Sequence, residues 1–497
     1  MHSVVIRRFI TSAAANGDRI AIVDAAGNTT SRQLMERAQT FANRLTSQKL
    51  RRVGLLADNS SHWIAFDLGA RMAGATLVPL PPFFTSQQLQ HVIDAAALQA
   101  VATDARGALA ALGDKVLDTT GYGPLTLARL RHEENALNGS RLGDYSKITF
   151  TSGTTGTPKG VCLTDAAIDK VAIALAQAVE SLDLQRHLNL LPLSTLLENI
   201  AGVYVPLMLG RTINALPLAA LGFSASGVDP QRLATLLSAV DPDSMILVPE
   251  LLQMLVNLPV SLHARTKPKF LPLGGGKTAP SLIQDAVDQG WPVFEGYGLS
   301  EAASVVTLNL PDANRIGSVG KPLSGRSVRI VDGEIEVAGH EFAGYLGELD
   351  AQPAWLKTGD LGELDDDGYL YITGRRRDVI VTSYGRNVSP EWVEAELRRD
   401  GSIAQCLVFG EARPCCGALI VPATGTDVLR IAHSITRANE RLPGYAQIKL
   451  WVAADGPFDA ERGFRTANGR LRRDRILAAY HEKIAHAYQS NSRSSER

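Results

Sequence analysis

A chain of 497 residues with 45% hydrophobic residues is long enough for one large domain and one small one. Fifty Lys and Arg against fifty-one Asp and Glu leave a formal charge of −1, so no global field recruits nucleic acid or an anionic membrane surface. The four cysteines, Cys162, Cys406, Cys415 and Cys416, show neither a CxxC pair nor zinc-site spacing, which excludes a disulfide framework and fits a reducing, cytoplasmic setting. The first residues lack an apolar core of signal-peptide length, and no later stretch is apolar for the ~18 residues that a membrane span requires.

In chain order, Ile20 to Val23 reads as a strand and Gly27-Asn28 as a turn. Ser31 then caps a helix whose Leu34, Ala38, Phe41, Ala42 and Leu45 recur at helical spacing. A second cycle follows: a strand from Val53 to Leu56, a helix from about Ser60 to Ala73, and a strand from Thr76 to Pro79. Thr85 and Gln88 form a capping-box pattern ahead of the helix carrying Leu89, Val92 and Ile93. This alternation of strand and helix predicts an α/β architecture with largely buried sheets.

The segment Lys147 to Thr164, KITFTSGTTGTPKGVCLT, is an apolar strand running into a loop of Thr, Ser and Gly that ends at Lys159-Gly160. Glycines let backbone N–H groups approach phosphate oxygens, hydroxyls donate further hydrogen bonds, and Lys159 supplies a point charge. It is not a P-loop of the GxxxxGK[ST] kind, which fails at Pro158 and Gly160, and taken alone it reads equally as a flexible turn. Leu191 to Gly210 is an apolar helical stretch that suits either plain core or the wall of a pocket for an apolar acid.

From about Val328 the texture changes to short alternating strands, VRIVDGEIEVAG and GELDDDGYLYITG, which predict a small antiparallel unit. Beyond Gly374 come a strand, VIVTS, and a helix opening near Ser389-Pro390. These shifts place one domain at residues 1–374, a second at 375–488 and a frayed polar tail at 489–497.

Five segments, in order, resemble the superfamily of adenylate-forming, AMP-binding enzymes, and most resemble bacterial acyl-CoA synthetases and fatty acid–CoA ligases. They are TSGTTGTPKG, EGYGLSEAA from Glu295, LKTGDLG from Leu356, GRRRDVIVTSYGRNVSPEWVEAEL from Gly374, and RTANGRLRR from Arg465. The resemblance implies a large amino-terminal domain of stacked mixed and parallel sheets with helices and a small β-barrel-like subdomain, followed by a small mobile α+β domain. It also implies ATP, magnesium and CoA as partners of the chain, with a small-molecule carboxylic acid as the group activated.

Carried over by position, the resemblance makes Thr151, Ser152, Gly153, Thr154, Thr155 and Gly156 the phosphate loop, with Lys159 holding the departing pyrophosphate. Gly274, Gly275 and Gly276 border the tunnel for the acid. Tyr297 would stack on adenine beside Gly298, Ser300 would contact the α-phosphate, and Glu301 would be the magnesium ligand. Asp360 would accept from both ribose hydroxyls, Arg375 would contact the ribose, and Arg377 marks the pivot of the small domain. Gly385 would leave room for the pantetheine arm. Arg470 stands where relatives have the lysine that bridges the substrate carboxylate and the α-phosphate; the charge is kept, but a planar fork replaces a compact ammonium. Ser194 and Thr195 stand where relatives often have an aromatic residue or a histidine.

The resemblance therefore implies activation of a hydrophobic, fatty or aryl, carboxylic acid to an acyl adenylate, then transfer to a thiol. The absence of an FDxS pattern disfavours an amino acid substrate, and no carrier domain follows the last motif, which favours CoA over an acyl carrier protein. Two alternatives stay open: loading of a carrier protein or another acceptor, and a nucleotide-binding scaffold with weakened catalysis. No cysteine is needed as a nucleophile, and Cys415-Cys416 read as packing residues.

Overall fold

The computed structural model describes residues 3–82, 84–104, 116–131, 145–151, 159–224, 227–258, 267–348, 353–384, 386–465 and 471–495. The first sheet has seven strands, ordered Val116–Tyr122, Leu125–Leu130, Ala100–Thr103, Arg52–Leu56, Thr76–Pro79, Lys147–Thr151 and Lys159–Leu163. Its middle strands are parallel and its outer pairs antiparallel. Helices between consecutive strands cover the faces, which is why the strand Arg52–Leu56 is buried at every position.

A second, five-stranded sheet orders Ser244–Met245, Arg186–Leu188, Thr212–Asn214, Ile20–Asp24 and Gly27–Thr30. Its hairpin corrects the expected turn. The turn is Ala25-Ala26, with the Ala26 N–H bonded to Asp24 Oδ1 at 2.9 Å, and Gly27 (φ 110°) already pairs with Asp24. The helix cap likewise moves by one residue. Thr30, not Ser31, accepts from Gln33 N–H, and the Gln33 side chain returns the bond, because Thr30 is the last residue with extended backbone. The Thr85–Gln88 capping box is present as read, ahead of the helix Ser86–Ala95.

Beyond these sheets, the strands Leu271–Leu273, Val293–Leu299, Ser304–Leu308 and Lys321–Pro322 form a four-stranded sheet. The expected antiparallel unit follows as Ser327–Val331, Glu334–Ala338, Trp355–Leu364 and Leu370–Arg375. The last strand runs through Gly374 and ends at Arg375.

The carboxy-terminal part has its own sheet, Ile403–Phe409, Cys416–Pro422 and Ile448–Ala453, and its own cores, one of them built on Val393, Leu397, Val408, Ile420 and Ile431. VIVTS contributes only a two-residue strand, Ile380–Val381, paired with Asn387–Val388. The polar run from Gln489, expected to be frayed, instead prolongs the helix His481–Ser495, whose Ile484, Ala487 and Tyr488 pack in a second core with Leu407, Phe409 and Phe458. Arg399 bonds to Asp285 at 3.0 Å and Arg398 lies 3.7 Å from Glu250, so the helix Pro390–Arg398 docks onto the amino-terminal part by charge. No helix among the described residues is long and apolar enough to cross a membrane.

Candidate active site

Neighbouring strands of the antiparallel unit set Asp360 directly opposite Arg375. Arg375 Nε lies 2.8 Å from Asp360 Oδ1, and the Tyr297 hydroxyl donates to Oδ2 at 2.7 Å. Asp360 is 5% exposed, so this ion pair is well shielded. Burial, and after it the Asp360 charge, hold the Tyr297 phenol well above its ordinary pKa and keep it a donor. Gly298 follows Tyr297 because nothing larger fits: a Cβ there would lie 1.9 Å from the Ser304 carbonyl. Both Asp360 oxygens thus have protein donors, leaving the remaining lone pair of each for a diol.

Lys159 opens the strand Lys159–Leu163, and its ammonium lies 5.3 Å from the centre of the Tyr345 ring. The Tyr345 hydroxyl donates to Glu301 Oε1 at 2.8 Å. Backbone pairing holds Tyr345 there, with Cys162 N–H bonded to Gly344 O at 3.0 Å and Leu346 N–H to Gly160 O at 2.8 Å. Glu301 sits in the short turn Ser300–Ala302 that follows the Tyr297 strand. The motifs did not single out Tyr345; its signal was an aromatic residue flanked by small residues in FAGYLG. Ser152, Gly153, Thr154, Thr155 and Gly156 lie outside the described residues, as do Gly385 and Arg470, and of Thr151 only its strand position is described.

At the start of the strand Lys147–Thr151, Lys147 is fully buried and bonded to Asp67 at 2.8 Å, to the Tyr204 hydroxyl at 2.9 Å and to Asn199. Tyr204 donates to the other Asp67 oxygen at 2.6 Å. Burial pulls the Lys147 pKa down and Asp67 opposes it. This cluster joins the strand Lys147–Thr151 to the helical run Leu196–Asn199, Ile200–Tyr204, Val205–Met208, whose middle is a π-turn.

That helical run is also a cavity wall. A cavity of about 1340 Å³ is bordered by Gly274, Gly275, Tyr297, Gly298 and Ser300 and continues between Leu197, Ala201, Val205 and Ile246. Gly276, Lys159, Glu301, Asp360 and Arg375 stand outside its lining, while Arg465 and Arg472, on either side of Arg470, border it. The volume exceeds the usual 300–1,000 Å³ of a small-molecule site. Ser194 also borders it, and its buried hydroxyl has no hydrogen-bond partner among the described residues.

Glu295, at the head of the EGYGLSE segment, is buried near Lys277, and burial pushes its carboxyl up to about 7. Burial raises Cys162 and Cys406 to about 12 and Cys416 to about 11, so none of the three offers a thiolate at neutral pH. Among the described residues no three His, Cys, Asp or Glu gather as a metal site. Glu301 as a single carboxylate still fits magnesium, which takes one or two carboxylates and completes its shell with phosphate oxygens and water.

Residues 9–349 match the model of the AMP-binding enzyme family, and residues 377–492 match that of the AMP-binding enzyme C-terminal domain. A long-chain-fatty-acid–CoA ligase of Mycobacterium bovis is 29% identical over 450 residues, covering 74% of this chain and 72% of the relative. A 2-succinylbenzoate–CoA ligase of Bacillus cereus is 30% identical over 423 residues, covering 79% and 82%. In fold, the chain is similar to an anthranilate–CoA ligase solved with anthranoyl-AMP, with a TM-score of 0.78, 18% identity and 96% of each chain covered.

Proposed function

This chain belongs to the AMP-binding enzyme family, and from that premise we propose that it is an AMP-forming acid–thiol ligase acting on a hydrophobic carboxylic acid. The observation that carries this reading is the continuity of one cavity from Tyr297, Gly298 and Ser300 into an apolar tunnel. Such a space holds a nucleotide and an acid end to end, with the acid's carboxylate at the junction.

In the first step a carboxylate oxygen attacks the α-phosphorus of ATP, forming one P–O bond and breaking the bond to pyrophosphate. In the second a thiol sulfur attacks the acyl carbon, forming C–S, releasing AMP and giving its proton to solvent. The ligases among the relatives support CoA as that thiol. Positioning and charge stabilisation suffice, so no covalent side chain is used.

Lys159 would hold the β- and γ-phosphates, and Arg470 would place its guanidinium between the two reacting anions. Asp360 and Arg375 would fix the ribose and Tyr297 the adenine. Magnesium on Glu301 would neutralise phosphate charge when bound. The docked helix Pro390–Arg398 supports a division near Gly374 into a domain of residues 1–374 and a smaller one of residues 375–488 that changes pose between the steps. Four unpaired cysteines support a reducing, cytoplasmic setting.

The test is carboxylate-dependent exchange of labelled pyrophosphate into ATP over straight-chain and aryl acids, without CoA, followed by thioester formation once CoA is added. Exchange with any acid supports the reading. Silence across the panel, with ATP still bound, would put the non-catalytic scaffold in its place.

A further inference from the structure

The acid tunnel does not end in an apolar wall. The parallel strands beside it order its lining. Leu191, Val248 and Gly274 lie at their carboxyl ends, His187, Ser244 and Ile246 lie along them, and Leu184, Phe270 and Arg211 lie at their amino ends. Gly274 lies four extended residue steps beyond Phe270, so the tunnel runs roughly 13 Å inward from the glycines.

Arg211 follows Gly210, which turns the chain at φ 68° out of the helical run and into the strand Thr212–Asn214. Its side chain is 19% exposed, and its Nε is buried with no hydrogen-bond partner among the described residues. The nearest carboxylate, Asp183, is 3.8 Å from Nη1, beyond hydrogen-bonding reach, is 72% exposed, and is shared with Lys269 at 3.8 Å. A second guanidinium backs the first. Arg19 lies beside Gly210, its Nη1 is also buried without a partner among the described residues, and its pKa is lowered by burial and then by the charge of Arg211. Two half-desolvated cations side by side with so little countercharge are a costly arrangement that an incoming anion would relieve.

We propose that Arg211, backed by Arg19, is an anion subsite at the far end of the acid tunnel, so that the substrate is a two-ended acid: an activated carboxylate, an apolar middle and a distal carboxylate. This rests on the reading of the cavity as the acid site and names the substrate class within it. The mid-tunnel polar pair, His187 and Ser244, is already satisfied, with Nδ1 to Oγ at 2.9 Å and Nε2 to Glu198 at 3.3 Å, and so leaves the discrimination to Arg211.

The experiment measures pyrophosphate exchange with straight-chain monoacids and α,ω-diacids of matched length, for the unaltered protein, Arg211→Leu and Arg211→Lys. At the length that spans the tunnel, the unaltered protein favours the diacid. Arg211→Leu lowers the diacid-over-monoacid ratio of kcat/KM by roughly ten- to a hundredfold, the size of a lost charged hydrogen bond. Arg211→Lys, which keeps charge and bulk, falls between. A preference of the unaltered protein for the monoacid at every length overturns the subsite and leaves the ligase reading standing. So does a ratio that Arg211→Leu leaves unchanged. Silence with every acid overturns both.

Discussion

The Tyr345 hydroxyl donates to Glu301 at 2.8 Å while its ring lies 5.3 Å from the Lys159 ammonium. One aromatic side chain thus touches both charges assigned to the polyphosphate end, holding the carboxylate by hydrogen bond and the ammonium by its ring face. Tyr345→Phe keeps the ring and removes only the hydroxyl. The loss of about 1 kcal/mol of orientation predicts a roughly fivefold fall in exchange kcat. The magnesium concentration for half-maximal rate should rise with it, a shift that a purely structural tyrosine would not produce.

Asp360 joins Arg375 and Tyr297, so its replacement is felt by both. Asp360→Asn removes the charge from a shielded pair and leaves the Arg375 guanidinium with a weaker acceptor. About 1.5–3 kcal/mol of charged hydrogen bonding is at stake. Calorimetric titration with ATP in the absence of acid should show affinity reduced by roughly ten- to a hundredfold. Unchanged ATP binding would remove Asp360 from the nucleotide site.

Glu295 makes stability depend on pH. Burial raises its carboxyl from 4.5 to about 7 in the folded chain. The folded state therefore binds more protons than the unfolded one between those values, and stability falls as pH rises from about 4.5 through 7. Glu295→Gln should flatten that slope, gaining up to about 3 kcal/mol at pH 8 relative to the unaltered protein while gaining nothing at pH 4. Urea midpoints measured across that range check it.

Lys147 and Asp67 form a fully buried pair. Lys147→Met leaves Asp67 charged and poorly compensated, which should cost about 3–5 kcal/mol, whereas Lys147→Met with Asp67→Leu should recover much of that loss. Denaturation of the two single variants and the double variant gives the coupling directly.

The motif resemblance assigns Arg470 the bridging role expected of a lysine. Arg470→Ala should lower adenylation by on the order of a hundredfold, as loss of a transition-state donor does. An unchanged exchange rate would remove it from the chemistry.

Much of the architecture was legible because it is written locally. The Thr85–Gln88 box, the period of Leu34, Ala38, Phe41 and Leu45, and the alternation in VRIVDGEIEVAG all lie within one or two turns of chain. Where the reading slipped, as at Thr30 against Ser31 and at the tail that continues as helix, the choice lay between adjacent backbone states of similar local cost. The order of five motifs likewise named the family, since short loops carry their chemistry in consecutive residues.

What the sequence by itself determined, then, was the set of elements and the chemistry of each loop. Only the tertiary structure decided which distant residues meet: Glu301 with Tyr345, Lys147 with Asp67, Arg211 with Arg19 beside the end of a tunnel. Those meetings depend on which strands pair and which helix lies across them, and hydrophobic burial, which drives that assembly, is non-directional and records no partner in the local pattern.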